Sequence, residues 1–389
     1  MTATTSRPLG QGHIPALDGI RGLAIFMVMI VHFIVVFEPI TWFQRSVYNA
    51  SGYGTLGIDL FFILSGFLIT GILQDSRSRP RYFRNFFIRR LLRISPLYYA
   101  VLLCIFGGIA IASCYGYVAN PKLMAAQPWA WTYLINFFIA REGAWTVPYI
   151  GHFWSLAVEE QFYMVWPFVV YYMTPRRLIA VSASLIVLST LCHLVLDVSG
   201  VSFVSVHVLT PCRLNALCAG ALMASWLRLP STQLGGTDLV KRRAWQIVLA
   251  SVSIKFFTYV AATLYPQIVN EIEAFRVLSW IGIFSALHLA AVAVEQNSVL
   301  NRFLIMRPLL FLGKYSYGIY VFHHFLSWPS LHYHAVPWLA EKCGNLTVAM
   351  LANAVLGMGL SILIAWISYH AFEKHFLRLK DIFAPTRTA

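Results

Sequence analysis

Charge is what this 389-residue sequence has least of. Asp, Glu, Lys and Arg make up 11% of it, where soluble domains carry about 25%, and 59% of the residues are hydrophobic. That balance excludes an ordinary soluble domain and turns chain length into a matter of membrane spans. Acids are scarcer still, 15 against 29 Lys and Arg, which leaves a net charge of +14. The six cysteines (Cys104, Cys114, Cys192, Cys212, Cys218, Cys343) form no CxxC or zinc spacing and mostly lie in apolar runs. They read as small buried filler, and no metal site is predicted. Internal repeats and low-complexity tracts are absent. The polar start MTATTSRPLGQGHIPALDG does not read as a cleavable signal peptide, so a full span is expected to follow it directly.

What the sequence does have is apolar length. Runs able to cross a bilayer fall at 16–38, 56–74, 95–117, 154–173, 178–196, 208–227, 245–265, 275–295, 308–327 and 346–370. The expected fold is an all-α integral membrane protein, a bundle of about ten transmembrane helices with both termini cytoplasmic. A tail (1–13) precedes the membrane domain (14–380), and a second tail (381–389) follows. The segment WAWTYLINFFIA, 129–140, is too short to cross and reads as an interfacial or re-entrant helix. With the N-terminus inside, 20 of the 29 Lys and Arg fall in cytoplasmic segments, five in outer segments and four within spans. Positive charge is retained on the cytoplasmic side, so the asymmetry supports this topology. It also places the excess charge on the membrane face and excludes nucleic acid as the partner.

The first run, LDGIRGLAIFMVMIVH, carries Arg21 near one end and His32 near the other. Eleven residues are close to three helical turns, so both side chains leave one face, roughly 16 Å apart along the axis. Polar groups are expensive in lipid, and others lie at the depth of His32. Asp59 opens the second run, Glu159 and Glu160 sit early in the fourth, Arg213 in the sixth, and His323 and His324 late in the ninth. Their placement predicts a polar cavity shared by several helices. Bland readings stand beside it: a packed histidine, Asp59 as a helix N-terminal charge, Glu160 facing the interface, Arg213 pairing with one carboxylate. Lys255, in the seventh run, has no role by pattern.

A second feature is RYFRNFFIRRLLRISPLYY, 81–99, in which Arg84, Arg89, Arg90 and Arg93 alternate with apolar residues before Pro96. It reads either as a basic amphipathic helix on anionic lipid or as a phosphate clamp, with Arg90 and Arg93 acting together as i, i+3 neighbours. Phosphate-gripping arginines at one end of a polar path and a base at the other suit a long ligand with the shape of a coenzyme A thioester.

PALDGIRGLAIFMVMIVHF resembles the opening signature of acyltransferase family 3, bacterial membrane O-acyltransferases of surface glycans and small molecules. That signature is an Arg, ten residues, then a His, matched by Arg21 and His32. GIDLFFILSGFLIT, FFIRRLLRISPLYY, HFWSLAVEEQFYMVWP, SYGIYVFH and SYHAFEKHFLRLK resemble later family motifs in the same order, from about residue 14 to 380. The resemblance implies transfer of an acyl group, usually acetyl, from acyl-CoA as co-substrate to a hydroxyl of a carbohydrate, glycolipid or small molecule. It implies a bacterial inner membrane setting, an essential matched His, and arginine motifs on the acyl-CoA side. Some relatives add an extracytoplasmic hydrolase-like domain; this chain is expected to act alone or to pass the acyl group to a separate partner.

The expected site follows. His32 acts as general base or as covalent acyl acceptor, and Asp59 or Glu159 orients its other ring nitrogen. Arg21, Arg90 and Arg93 hold the acyl-CoA. Tyr163, Arg213 or His323 faces the acceptor or the oxyanion. No permanently bound cofactor is expected. Two rival readings use the same residues: an intracellular enzyme tailoring an antibiotic or lipid sugar, and a proton-coupled transporter.

Overall fold

The computed structural model describes residues 8–34, 41–265, 273–293, 295 and 297–384, and all regular elements among them are helical. Each of the ten apolar runs contains a helix: α1 (Pro15–Ile34), α2 (Gly57–Ser76), α3 (Tyr82–Ser113), α4 (Trp154–Tyr172), α5 (Pro175–Val198), α6 (Thr210–Leu227), α7 (Pro230–Leu264), α8 (Glu273–Val292), α9 (Arg307–His332) and α10 (Leu346–Ser368). Seven helical stretches among the described residues are long and apolar enough to cross a membrane: Pro15–Ile34, Trp42–Ser76, Tyr82–Ser113, Pro175–Val198, Pro230–Leu264, Glu273–Val292 and Leu346–Phe383. Helices α4, α6 and α9 are not among them. These three carry Glu159 and Glu160, Arg213, and His323 and His324, whose polarity dilutes the aliphatic content of each helix. Residues 35–38 and 294 of the predicted runs, Arg7, Arg387 and parts of both predicted tails lie outside the described residues.

Three local expectations change. The third run begins in the structure at Tyr82 rather than near residue 95, so Pro96 lies well inside α3. The arginine-rich segment is rich in good helix formers and extends the helix upstream. Proline inside a helix removes one backbone hydrogen bond; in that turn the Ile94 carbonyl accepts from the Tyr317 hydroxyl at 2.6 Å. The segment 129–140 falls across two short helices, Pro121–Trp131 and Ile135–Glu142, separated by residues that include Tyr133 at φ 54°. Three of the six cysteines (Cys104, Cys114, Cys343) are exposed rather than buried. After α10 the chain passes through one π turn (Tyr369–Glu373) into α11 (Lys374–Phe383).

The described residues pack as two compact units. The first falls within Met1–Arg21, Asp59–Ser78 and Gln161–Leu310. In it α2 and α6 touch backbone to backbone. A Cβ on Gly66 would lie 1.9 Å from the Leu217 carbonyl oxygen, and one on Gly220 would lie 2.0 Å from that of Ile63, so only glycine permits this approach. Lys255 finds a role here: its Nζ lies 3.5 Å from the centre of the Trp280 ring, a cation–π contact that accommodates a charge in an apolar helix. The second unit falls within Gly22–Ile58, Arg79–Glu160 and Phe311–Ala389. There the Asn353 amide donates to the Phe33 carbonyl at 2.9 Å, tying α10 to the end of α1.

Candidate active site

His32, near the end of α1, meets three other imidazoles in the second unit. Its ring centroid is 4.8 Å from that of His323 and 5.4 Å from that of His324. His152 completes the group, 5.1 Å from His323 and 4.7 Å from His324. Adjacent His323 and His324 bring two rings from α9. His152 comes from the short 3-10 turn Gly151–Phe153 that leads into α4. His152 and His323 are buried, with 5% and 0% of their surface exposed.

The hydrogen bonds of these rings define which nitrogens carry protons. His32 Nδ1 lies 2.8 Å from the Val28 carbonyl one turn back, and His323 Nδ1 lies 2.7 Å from that of Tyr320. His324 Nδ1 meets the Tyr149 carbonyl at 3.2 Å, and His152 Nε2 meets that of Val321 at 3.2 Å. A carbonyl only accepts, so each contacting ring nitrogen is the N–H donor, and in a neutral ring the other nitrogen keeps its lone pair. His32, His323 and His324 therefore carry that lone pair on Nε2, and His152 carries it on Nδ1. Two of these nitrogens, His152 Nδ1 and His323 Nε2, are buried with no hydrogen-bond partner among the described residues.

The His32 ring is held by its own helix's carbonyl; a carboxylate from Asp59 or Glu159 is the orienting group expected from the sequence. His323 is held in the same way, by the Tyr320 carbonyl.

The paired glutamates diverge, as residues 100° apart on a helix must. Glu159 lies within electrostatic reach of Tyr320, whose hydroxyl donates to the His152 carbonyl at 2.6 Å and contacts Ser155 Oγ at 2.5 Å. Glu160 lies within reach of Arg90 and of Tyr98, Tyr99, Tyr133 and Tyr317. Its Oε1 is buried without a hydrogen-bond partner among the described residues, so Glu160 faces inward, contrary to the interfacial reading.

Arg90 and Arg93 gain a neighbour that spacing does not reveal. Lys380, on α11, lies within electrostatic reach of Arg93, Arg90 and Arg89. Arg89 helps to dock α11, through Nε to the Ala384 carbonyl at 2.8 Å and Nη2 to Asp381 at 3.8 Å. Three arginines and a lysine thus converge on one side of α3, a density of like charge suited to a polyanion.

The remaining predicted residues fall in the first unit. Arg21 pairs with Asp18 at 3.0 Å. Asp59 accepts from Arg213 Nη2 at 2.5 Å, and both are buried, 3% and 1% exposed. The Arg213 guanidinium also lies 5.6 Å from the centre of the Phe62 ring. The Tyr163 hydroxyl is hydrogen-bonded to Ser65. His193 and Asp197 approach to 3.3 Å, and His207 lies within reach of Arg213 and His193. Among the described residues, no group of three or more His, Cys, Asp or Glu is arranged to hold a metal ion.

Comparison with known proteins points to acyl transfer. The chain is 26% identical over 386 residues to the peptidoglycan O-acetyltransferase OatA of Listeria monocytogenes, covering 93% of this chain and 55% of that protein. It is 28% identical over 381 residues to the putative peptidoglycan O-acetyltransferase YrhL of Bacillus subtilis, covering 93% and 54%. With the O-acetyltransferase OatA of Staphylococcus aureus it shares 28% identity over 333 residues, covering 80% and 50%. The chain spans about half the length of these curated relatives. No solved structure matches. The family model of the acyltransferase domain, Acyl_transf_3, matches residues 14–370, nearly everything from the helix that carries His32 to the π turn before α11, and the chain therefore belongs to this family of membrane acyltransferases.

Proposed function

We propose that this protein transfers an acyl group, acetyl first among candidates, from a cytoplasmic acyl-CoA to a hydroxyl of a cell-wall carbohydrate on the outer side of the bacterial inner membrane. The observation that carries the reading is the His32 ring. Its Nδ1–H is committed to Val28, which leaves Nε2 as a base inside a chain of the acyltransferase family. His32 Nε2 takes the acceptor's hydroxyl proton as the oxygen attacks the thioester carbonyl. The C–S bond of the tetrahedral intermediate then breaks, and the proton ends on the CoA sulfur. The names of the relatives supply the acetyl group and the carbohydrate acceptor.

Arg90, Arg93 and Lys380 are assigned to the phosphates of the donor. Each charge-assisted hydrogen bond contributes about 1.5–3 kcal/mol, roughly one to two decades of affinity. Arg90→Ala, Arg93→Ala and Lys380→Ala should each weaken CoA binding to purified protein by about 10- to 100-fold in calorimetric titration. Unchanged affinity in all three would return α3 to the role of a basic helix on anionic lipid.

Sidedness is tested in proteoliposomes of uniform orientation, with radiolabelled acetyl-CoA inside or outside. Donor on the face of Arg90 and Lys380 should label an impermeant sugar acceptor on the opposite face and release CoA on the donor side. Labelling only when both substrates share one face would favour an intracellular tailoring enzyme instead.

A further inference from the structure

Cys192 and Cys212 share no spacing motif, but the fold of the first unit brings them together. Helices α5 and α6 meet along an antiparallel seam, in which the Asn215 backbone N–H donates to Ser189 Oγ at 3.1 Å. Three residues further along α5 and three back along α6, just under one helical turn on each, the seam reaches Cys192 and Cys212. Their sulfurs are 3.8 Å apart, with the Cys212 S–H directed at the Cys192 sulfur. Cys212 is buried and Cys192 is half-buried. The sulfurs of a disulfide are about 2.05 Å apart, so this pair has about 1.8 Å to close, within the swing of two short side chains. In the topology expected from the basic residues, α5 leaves the cytoplasmic face at Arg176 and Arg177, which carries both cysteines towards the outer face. Thiols stay reduced in the cytoplasm and pair in an oxidising exterior.

We propose that Cys192 and Cys212 form a disulfide that staples α5 to α6 once the chain meets an oxidising outer compartment. The proposal does not depend on the acyl-transfer reading. The oxidant is a disulfide, RS–SR, of a small molecule or of an extracytoplasmic thiol oxidoreductase. Cys192, the more accessible sulfur, attacks as the thiolate, which the S–H of Cys212 is placed to stabilise. The RS–SR bond breaks, one RS thiolate leaves and is protonated, and Cys192 holds a mixed disulfide. Cys212 then gives up its proton and attacks the Cys192 sulfur, and the second RS group leaves as a thiol. Two cysteine thiols are oxidised, one disulfide is reduced to two thiols, and the protons of the cysteines end on the departing sulfurs. The bond closes the stretch of chain between the two helices, which restricts the unfolded protein. It also fixes the start of α6, where the neighbouring Arg213 pairs with Asp59. Small apolar filling would explain a buried cysteine on either helix, but it would not explain two sulfurs facing each other at one level of the seam.

Trypsin, which cuts after Lys and Arg, releases 178–213 as one peptide, and Cys192 and Cys212 are its only cysteines. Membranes of aerobically grown cells are quenched in acid, alkylated with N-ethylmaleimide and digested without reduction. Most of the peptide should emerge without alkyl groups and two hydrogens lighter than the dithiol form. It should take up two alkyl groups when reduced before alkylation. A peptide found mainly with alkyl groups or mixed disulfides, and no internal bond, overturns the proposal. Stability gives a second readout that filling alone would not move. Dithiothreitol should lower the thermal midpoint of the purified protein by about 5–10 °C and that of Cys104→Ser equally, while leaving Cys192→Ser and Cys192→Ala in place. A wild-type midpoint unmoved by the reductant overturns the staple. An equal drop in the Cys192 variants does the same, because it would trace to another cysteine.

Discussion

Replacing His32 with Ala should abolish acyl transfer, lowering turnover by at least about a hundredfold, while the protein still elutes as a single folded species in detergent. Among the described residues the ring makes one hydrogen bond, to a carbonyl of its own helix; losing it removes about 1 kcal/mol of stability. A small structural loss combined with a large kinetic one distinguishes a base from a packing residue. The measurement is acceptor-dependent release of free CoA beside a thermal melt in the same detergent. Transfer within severalfold of wild type would remove His32 from the chemistry. A variant that fails to elute as folded would assign it to packing instead.

The second large effect concerns Asp59 and Arg213. Breaking a buried ion pair by removing one partner costs about 3–5 kcal/mol, because the other charge is left unpaired, and whole-domain stabilities are only about 5–15 kcal/mol. Asp59→Ala and Arg213→Ala should therefore each yield largely aggregated protein on size exclusion. The double variant Asp59→Leu/Arg213→Met removes both charges together and should recover a monodisperse species. CoA release by that double variant then separates two roles. Retained turnover would make the pair a clasp between α2 and α6, and loss of turnover in a stable protein would give the pair a part in binding or chemistry. Single variants that melt like wild type would mean that water reaches the pair.

Helix positions were legible because the apolar runs are long and bounded: each of the ten contains a helix. The polar residues stood out for the complementary reason, since a charge or imidazole in such a run needs a partner. Partnership was not legible. That Asp59 meets Arg213 depends on two glycines, Gly66 and Gly220, which let α2 and α6 touch at the backbone, and no local pattern announces which helices pair. His152 escaped notice because a three-residue turn before a helix has no periodicity. Lys380 did so because α11 reaches α3 only after the π turn at Tyr369–Glu373, so neither helix alone predicts the other's cations. The tautomers were beyond reach as well, because they are fixed by main-chain carbonyls that every sequence possesses.

The clasp between Asp59 and Arg213 also has a history within each molecule's synthesis. The two residues are 154 positions apart, and translation at about 5–20 residues per second separates their emergence by roughly 8–30 s. Throughout that interval α2 carries a carboxyl whose partner does not yet exist, and its glycine face has no α6 to close against. Something other than this chain's own later half must shield that helix as it waits, whether water at the insertion machinery or a membrane chaperone. The timing of the first unit's assembly is therefore set by the arrival of its late helix, and a ribosome pause between residues 59 and 213 would lengthen the exposure of the early one.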